Sequence, residues 1–307
     1  MRRGIILAGG AATRLYPLTL TVSKQLMPVY DKPMIYYPLS VLMLAGLREI
    51  LIITTPHDAA AFQRLLGDGS RLGLAIDYAV QPEPAGLPQA YLLAEPWLKG
   101  APSALILGDN IFYGNGFPAM LRAADARDEG ATLFTYTVAD PRAYGVAEID
   151  AHGRVTGLEE KPVVPRSTHA VTGLYYCDGE APSRAAALTP SPRGELEITD
   201  LLRGYLADRR LAAAPLGRGI AWLDTGTHAS LLDAAHYVRI VEERQGLKIG
   251  CPEEIAWRLG FIDDEALDAL ARPLLKSGYG AYLLRQLAAG RAPRTAMAGP
   301  LAAHVHG

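Results

Sequence analysis

Four aliphatic runs, at residues 4–8, 49–55, 74–81 and 103–110, recur through the start of the chain, and each is followed by a stretch with helical spacing. A fifth run, "ATLFTYTV", closes the series near residue 139. Strands separated by helix-length crossovers pair in parallel, so such a chain is confined to an α/β fold: a Rossmann-like, mostly parallel central sheet flanked by helices. The run "EILIITT" is continuous rather than alternating, as in a strand covered on both faces. Leu39, Leu42, Met43 and Leu47 form a helical stripe across residues 37–47, with Gly46 near its end. Asp58 is placed to cap a helix through residue 66, and further helices are expected at 88–98 and 117–129. In open sheets of this kind ligands sit at the carboxyl ends of the strands. The segments "AGGAATR" and "GDN" fall at such ends.

The rhythm then changes. Two short strands around a turn at 151–153 and a strand at 168–177 suggest a smaller β-rich part. A helix over 195–210, a strand over 220–226 and a long helix over 228–244 follow. Residues 252–289 read as short helices broken by Gly and Pro, and residues 291–307 as a mobile tail. The expected organisation is a core of residues 1–240, a helical appendage of 241–290 and the tail.

The 307 residues carry a formal charge of −2, so no global field draws the chain to nucleic acid or an anionic membrane. Any phosphate must be held by local groups. Two distant cysteines, Cys177 and Cys251, make neither a disulfide framework nor a zinc pattern, and are expected as reduced thiols in a cytoplasmic protein. No apolar run approaches the roughly 20 residues of a membrane-spanning helix. Arg2 and Arg3 before a short apolar run have the outline of a signal peptide, but the run is thin and broken by glycine.

Familiar phosphate and hydrolase signatures are missing. There is no Gly-Lys-Ser/Thr step, no GxGxxG after the first strand, and no HExxH, CxxC or GxSxG. What remains is a small-residue turn, Gly9, Gly10, Ala11, Ala12 and Thr13, followed by Arg14 and then Lys24. Such a turn lets backbone N–H groups approach an anion, and the two cations add charge for a triphosphate; a plain turn with two solvated cations would look the same. Asp109 ends a buried strand and suits a hard cation such as Mg²⁺, as well as a turn. Asp224 in "AWLDTG" repeats that pattern. Lys161, after Glu159 and Glu160, could meet a second phosphate, and the Gln81 amide could read a base edge.

The segments "TRLYPLTLTVSKQLMPVYDKPMIYYPLS", "ILGDNIFYG", "YGVAEID", "LEEKP", "VTGLYYCD", "GELEITD", "AWLDTGTHASLLDAA" and "ERQGLKIGCPEEIAWR" stand in this order over nearly the whole chain. Together they resemble the sugar-phosphate nucleotidylyltransferases, and most closely those acting on dTTP and α-D-glucose 1-phosphate. The resemblance implies formation of dTDP-glucose with release of pyrophosphate, at the start of dTDP-deoxysugar (for example rhamnose) biosynthesis. It also implies Mg²⁺, a homotetramer, and a regulatory site for a dTDP-sugar effector at a subunit interface. By resemblance, Gly9, Gly10, Ala12, Thr13 and Arg14 line the nucleotide phosphates with Lys24. Gln81 and Gly86 read thymine, and Asp109 and Asp224 hold the metal. Lys161 grips the sugar phosphate, and Tyr144, Gly145, Glu160, Val171 and Trp222 surround the glucose. Cys251, Glu254, Ile255 and Arg258 fall at the regulatory site.

Three positions depart from the family pattern: Ala12 for Gly, Ala85 for Asp and Pro88 for Ala. Ala12 is expected to keep a negative φ. Related outcomes are the same chemistry with UTP or another sugar 1-phosphate, or a non-catalytic homologue that senses nucleotide sugars. Retention of Arg14, Lys24, Asp109, Lys161 and Asp224 favours a working enzyme.

Overall fold

The structure, a computed structural model, describes residues 1–10 and 12–291; Ala11 of the glycine loop and residues 292–307 of the expected tail lie outside the described residues. In chain order the strands and helices are β1 (Arg3–Ala8), a small hairpin of β2 (Pro28–Val29) and β3 (Lys32–Pro33), α1 (Tyr36–Leu44), β4 (Glu49–Thr54), α2 (Ala59–Leu66) and β5 (Ala75–Val80). Then come α3 (Gln89–Leu98), β6 (Ser103–Leu107), β7 (Asn110–Gly114), α4 (Phe117–Asp125), β8 (Ala131–Thr137), β9 (Gly145–Ile149), β10 (Val155–Glu160) and β11 (His169–Cys177). The chain continues through α5 (Ala181–Ala186), α6 (Ile198–Ala207), β12 (Leu211–Pro215), β13 (Ile220–Asp224) and α7 (His228–Gln245). It closes with α8 (Pro252–Arg258), α9 (Asp264–Ala271) and α10 (Tyr279–Ala289).

The nine-stranded sheet runs β10-β9-β11-β6-β1-β4-β5, with β8 paired to β11 and β12 paired to β8. Its centre, β6-β1-β4-β5, is wholly parallel. Strand β1 lies between β4 and β6, so the chain leaves it in one direction and later returns on the other side. That reversal opens a crevice at the carboxyl ends of β1 and β6. The antiparallel strand β11 extends the sheet beyond β6 and carries β9 and β8.

Side chains alternate across the sheet. Ile6, Ala8, Ile50, Ile52, Ala104 and Ile106 pack under α1, α2 and α4. Ile5, Leu7, Leu51, Ile53 and Leu105 pack on the opposite face with Tyr91 and Ala94 of α3 and Leu201 and Tyr205 of α6. Burial on both faces is why these strands read as continuous apolar runs.

Several elements differ from expectation. After the expected turn at Gly108 and Asp109 a further strand, β7, leaves the main sheet to pair with β13. The α4 helix stops at Asp125 rather than 129, and α6 is shorter than the expected 195–210. Asp58 sits at the start of α2 but accepts from Thr55 Oγ1 at 2.7 Å and makes no cap bond. Strand β12, "LAAAP", was not expected; its alanines have low strand propensity, and pairing with β8 imposes the conformation. Helix α7 begins with a capping box in which Thr227 and Ser230 satisfy one another's backbone N–H groups, and Gly246 ends it.

Candidate active site

Antiparallel β7 and β13 set Asp224 opposite Asn110, which brings it beside Asp109. Thr225 Oγ1 locks the junction by donating to the Asp109 carbonyl at 2.8 Å. Lys24, only 6% exposed, reaches in from its own 3₁₀ turn, and its Nζ lies 2.5 Å from Asp109 Oδ2. The Asp224 carboxyl is held above the usual carboxylate range by burial and then by the charge of Asp109. Lys24, the Gly226 N–H at 2.7 Å and Arg14 oppose that rise. Arg14 stands on an exposed 3₁₀ turn, and its Nη2 would come within 3.2 Å of a Cβ added to Gly226.

Beside these groups lies a cavity of about 180 Å³ lined by Arg14, Asp109 and Asp224. Tyr144, Gly145, Glu160, Lys161, Val171 and Trp222 line it too. The register of β9 and β10 sets Gly145 opposite Glu160, and the Lys161 N–H donates to the Tyr144 carbonyl at 3.0 Å. Lys161 has a left-handed φ of 43° and its Nζ lies 3.7 Å from Glu160 Oε1. Burial raises the Glu160 carboxyl, against the pull of Lys161. Trp222 packs edge-on against Tyr144, with ring centres 5.1 Å apart.

The nucleotide-loop residues lie next to this cavity. Gly10, Ala12 and Lys24 line a second cleft of about 250 Å³, and the Lys24–Asp109 pair joins the two. Thr13 sits exposed beside Arg14. Gln81 lies against Gly9: a Cβ at Gly9 would stand 2.1 Å from Gln81 Oε1, so a larger residue there would have to displace the Gln81 side chain. Gly86 bridges to the backbone of Leu196. Ala12 corrects an expectation. Its φ is +44°, not negative; its carbonyl accepts from Leu15 N at 3.0 Å and Thr19 Oγ1 at 2.9 Å, which ties the loop in the left-handed region.

The four remaining predicted residues gather elsewhere. Cys251, Glu254, Ile255 and Arg258 line a separate cavity of about 410 Å³ together with Tyr37, Phe112, Tyr113 and Lys248. Burial pushes the Cys251 thiol up, and Glu254 accepts from Arg258 Nε at 2.7 Å and from the Tyr282 hydroxyl.

Sequence reasoning gave Asn110 no role, although it stands in the "GDN" that marked Asp109. Its Oδ1 accepts from Trp222 Nε1 at 2.6 Å and Gly173 N at 3.1 Å, and its Nδ2 donates to Asp109 Oδ1 at 2.9 Å. Thr199, which lines the main cavity and donates to Glu160 Oε2 at 3.3 Å, carries no sequence signal beyond its place in a helical run.

The family described as Nucleotidyl transferase matches residues 3–239. This chain belongs to the nucleotidyl transferase family. As a nucleotidyl transferase it has near relatives among characterised proteins. It is 64% identical over 282 residues to the glucose-1-phosphate thymidylyltransferase of Xanthomonas campestris pv. campestris (strain B100), covering 92% of this chain and 96% of that one. It is 58% identical over 285 residues to the enzyme of that name from Neisseria meningitidis serogroup A, covering 93% and 99%. A Bacillus anthracis protein crystallised in complex with a sucrose superposes with a TM-score of 0.73 at 38% identity, over 78% of this chain and 96% of that one. A UDP-glucose pyrophosphorylase bound to UDP-glucose, at 23% identity and a TM-score of 0.69 over 78% and 99%, shares the nucleotidyl transferase fold.

Proposed function

We propose that this nucleotidyl transferase joins dTTP and α-D-glucose 1-phosphate into dTDP-glucose and pyrophosphate, supplying the first intermediate of dTDP-deoxysugar synthesis. The observation that carries the reading is the convergence of Arg14, Lys161, Asp109 and Asp224 on one cavity, with Lys24 paired to Asp109 at its edge.

The chemistry brings two anions together. A phosphate oxygen of the sugar phosphate attacks the α-phosphorus of the nucleotide, and pyrophosphate leaves in line. The attacking oxygen is already ionised at neutral pH, so no general base is needed. The demand is for positioning and charge neutralisation. Lys161 holds the sugar phosphate, while Arg14 and Lys24 neutralise the triphosphate and its leaving group. Gly145, Glu160 and Val171 seat the sugar hydroxyls against Tyr144 and Trp222, and Gln81 and Gly86 meet the base.

Asp109 and Asp224 suit a divalent cation, for which we propose Mg²⁺. Burial and then the charge of Asp109 raise the Asp224 carboxyl, so a cation held by the two would relieve their repulsion. Among the described residues no group of three or more His, Cys, Asp or Glu could hold a metal alone. Two carboxylates completed by phosphate oxygens and water are the usual Mg²⁺ arrangement. Held there, such a cation would supply charge to screen the phosphoryl group.

The second cavity, at Cys251, Glu254, Ile255 and Arg258, is proposed as the regulatory dTDP-sugar site. A homotetramer is proposed as well. We assign residues 1–240 to catalysis and 241–290 to assembly and regulation. Among the described residues no helix is long and apolar enough to cross a membrane, and a cytoplasmic setting is proposed.

The test is pyrophosphate release from purified protein with α-D-glucose 1-phosphate, Mg²⁺ and dTTP, UTP, ATP, CTP or GTP in turn. The reading expects turnover with dTTP preferred. Equal kcat/KM for UTP would remove the dTTP preference, and folded protein inert with all five nucleotides would point to a sensing homologue.

A further inference from the structure

Gln89 has no part in the site as built above. It is the first residue of α3, and its side chain closes the loop formed by residues 82–88. The Ala85 N–H donates to Gln89 Oε1 at 2.9 Å. A backbone N–H is a donor however an amide is drawn, so the Gln89 atom facing it is the carbonyl oxygen. That same oxygen lies 2.6 Å from the Gln81 side chain. The atom meeting it must be a donor, which makes it Gln81 Nε2. One backbone N–H thus sets the polarity of two amides in series. Gln81, 4% exposed at the end of β5, is left with its Oε1 over Gly9 and no donor to that oxygen among the described residues.

We propose that Gln89 is a positioning residue for base selection: it holds Gln81 with the carbonyl oxygen presented to the pyrimidine. This rests on the reading that Gln81 meets the nucleotide base. Thymine carries a donor at ring N3 between two carbonyl acceptors, whereas cytosine carries an acceptor at N3 beside an amino group. A fixed Gln81 Oε1 accepts from the first and opposes the second. Turning Gln81 over to suit cytosine breaks its bond to Gln89 and sets oxygen against oxygen. Buried polar groups left unpaired in this way make such sites selective. The relay uses only the backbone of residue 85, which accounts for the tolerance of Ala85 where the family commonly has Asp.

The experiment measures the ratio of kcat/KM for dTTP to that for dCTP in the full-length protein and in Gln89→Met, Gln89→Glu and Gln81→Leu. In Gln89→Met the acceptor is gone, and the ratio falls by about tenfold or more while KM for glucose 1-phosphate holds. In Gln89→Glu both carboxylate oxygens accept, and the ratio stays near the wild-type value even if the rate drops. Should Gln89→Met not fold, Gln89→Leu gives the same reading. A Gln89 that merely packs the loop would lower both nucleotides alike in Met and Glu variants; an unchanged ratio in Gln89→Met with a collapsed ratio in Gln81→Leu overturns the inference and leaves the role of Gln81 standing. An unchanged ratio in Gln81→Leu overturns both.

Discussion

Lys24 Nζ and Asp109 Oδ2 lie 2.5 Å apart although 85 residues separate them, and Lys24 is almost wholly buried. The pair joins the loop after β1 to the turn after β6, the two strand ends that form the crevice. It holds a cation and a carboxylate ready before substrate arrives. Asp109→Asn keeps the shape and removes the charge. Turnover is expected to fall by about 10³, a loss of the size seen when a site loses one preorganised electrostatic group. Lys24 then loses its paired carboxylate and keeps only the nearby charge of Asp224, and stability is expected to drop by about 2 kcal/mol, with the fold retained. Rate against Mg²⁺ concentration and a thermal melt check both; a near-normal rate at limiting Mg²⁺ rules out a metal role for Asp109.

Asp224 makes the metal-free protein pH-sensitive. Its folded-state pKa is raised, by burial and then by Asp109. A carboxyl raised on folding favours the folded state below its unfolded pKa and loses that advantage as pH rises through the folded value. At neutral pH the wild type therefore carries the full cost of the charge. Asp224→Asn is expected to melt at higher temperature than wild type at pH 7 without metal, and the gap is expected to close as pH falls toward 4. Adding nucleotide and Mg²⁺ is expected to reverse the order at pH 7 if, as proposed, Asp224 helps hold the cation. A gap that widens on acidification contradicts the assignment.

Ala12 stands in the left-handed region that its side chain disfavours by about 1 kcal/mol or more. Ala12→Gly is expected to raise stability by up to about 1 kcal/mol in chemical denaturation. Since the loop is already held by Leu15 and Thr19, kcat/KM is expected to change only a few-fold. A hundredfold gain in kcat/KM would mean that the methyl group blocks the phosphate path.

Lys161 lines the cavity and is proposed to hold the sugar phosphate. Lys161→Met keeps the length of the side chain and removes the charge. The KM for glucose 1-phosphate is expected to rise and kcat/KM to fall by about 10², with the KM for dTTP nearly unchanged. Steady-state kinetics with each substrate varied separately decides this, and a rise confined to the dTTP KM moves Lys161 to the nucleotide side.

The parallel centre was legible in the sequence because β1, β4 and β6 are buried on both faces and must be continuously apolar. The residues proposed to carry charge in the site could be picked out because Asp109 follows such a strand, Asp224 ends the short strand β13 and Arg14 follows a glycine turn. What stayed hidden depends on partners distant in the chain. Strand β12 is mostly alanine and exists through β8. The φ of Ala12 follows from hydrogen bonds to its carbonyl, against the preference of alanine itself. Gln89 looks like any helix-start residue until Ala85 and Gln81 meet its oxygen, and Asn110 looks like a turn residue until Trp222 and Gly173 bond it.

The central claim is attack on the α-phosphorus with pyrophosphate as leaving group. Its most direct test is one incubation with α-D-glucose 1-phosphate and dTTP radiolabelled at the α-phosphate, and a parallel one with the label at the γ-phosphate. The account predicts the α label in a thymidine diphosphate sugar and the γ label in pyrophosphate. A γ label appearing on a sugar bisphosphate or as free phosphate would contradict it.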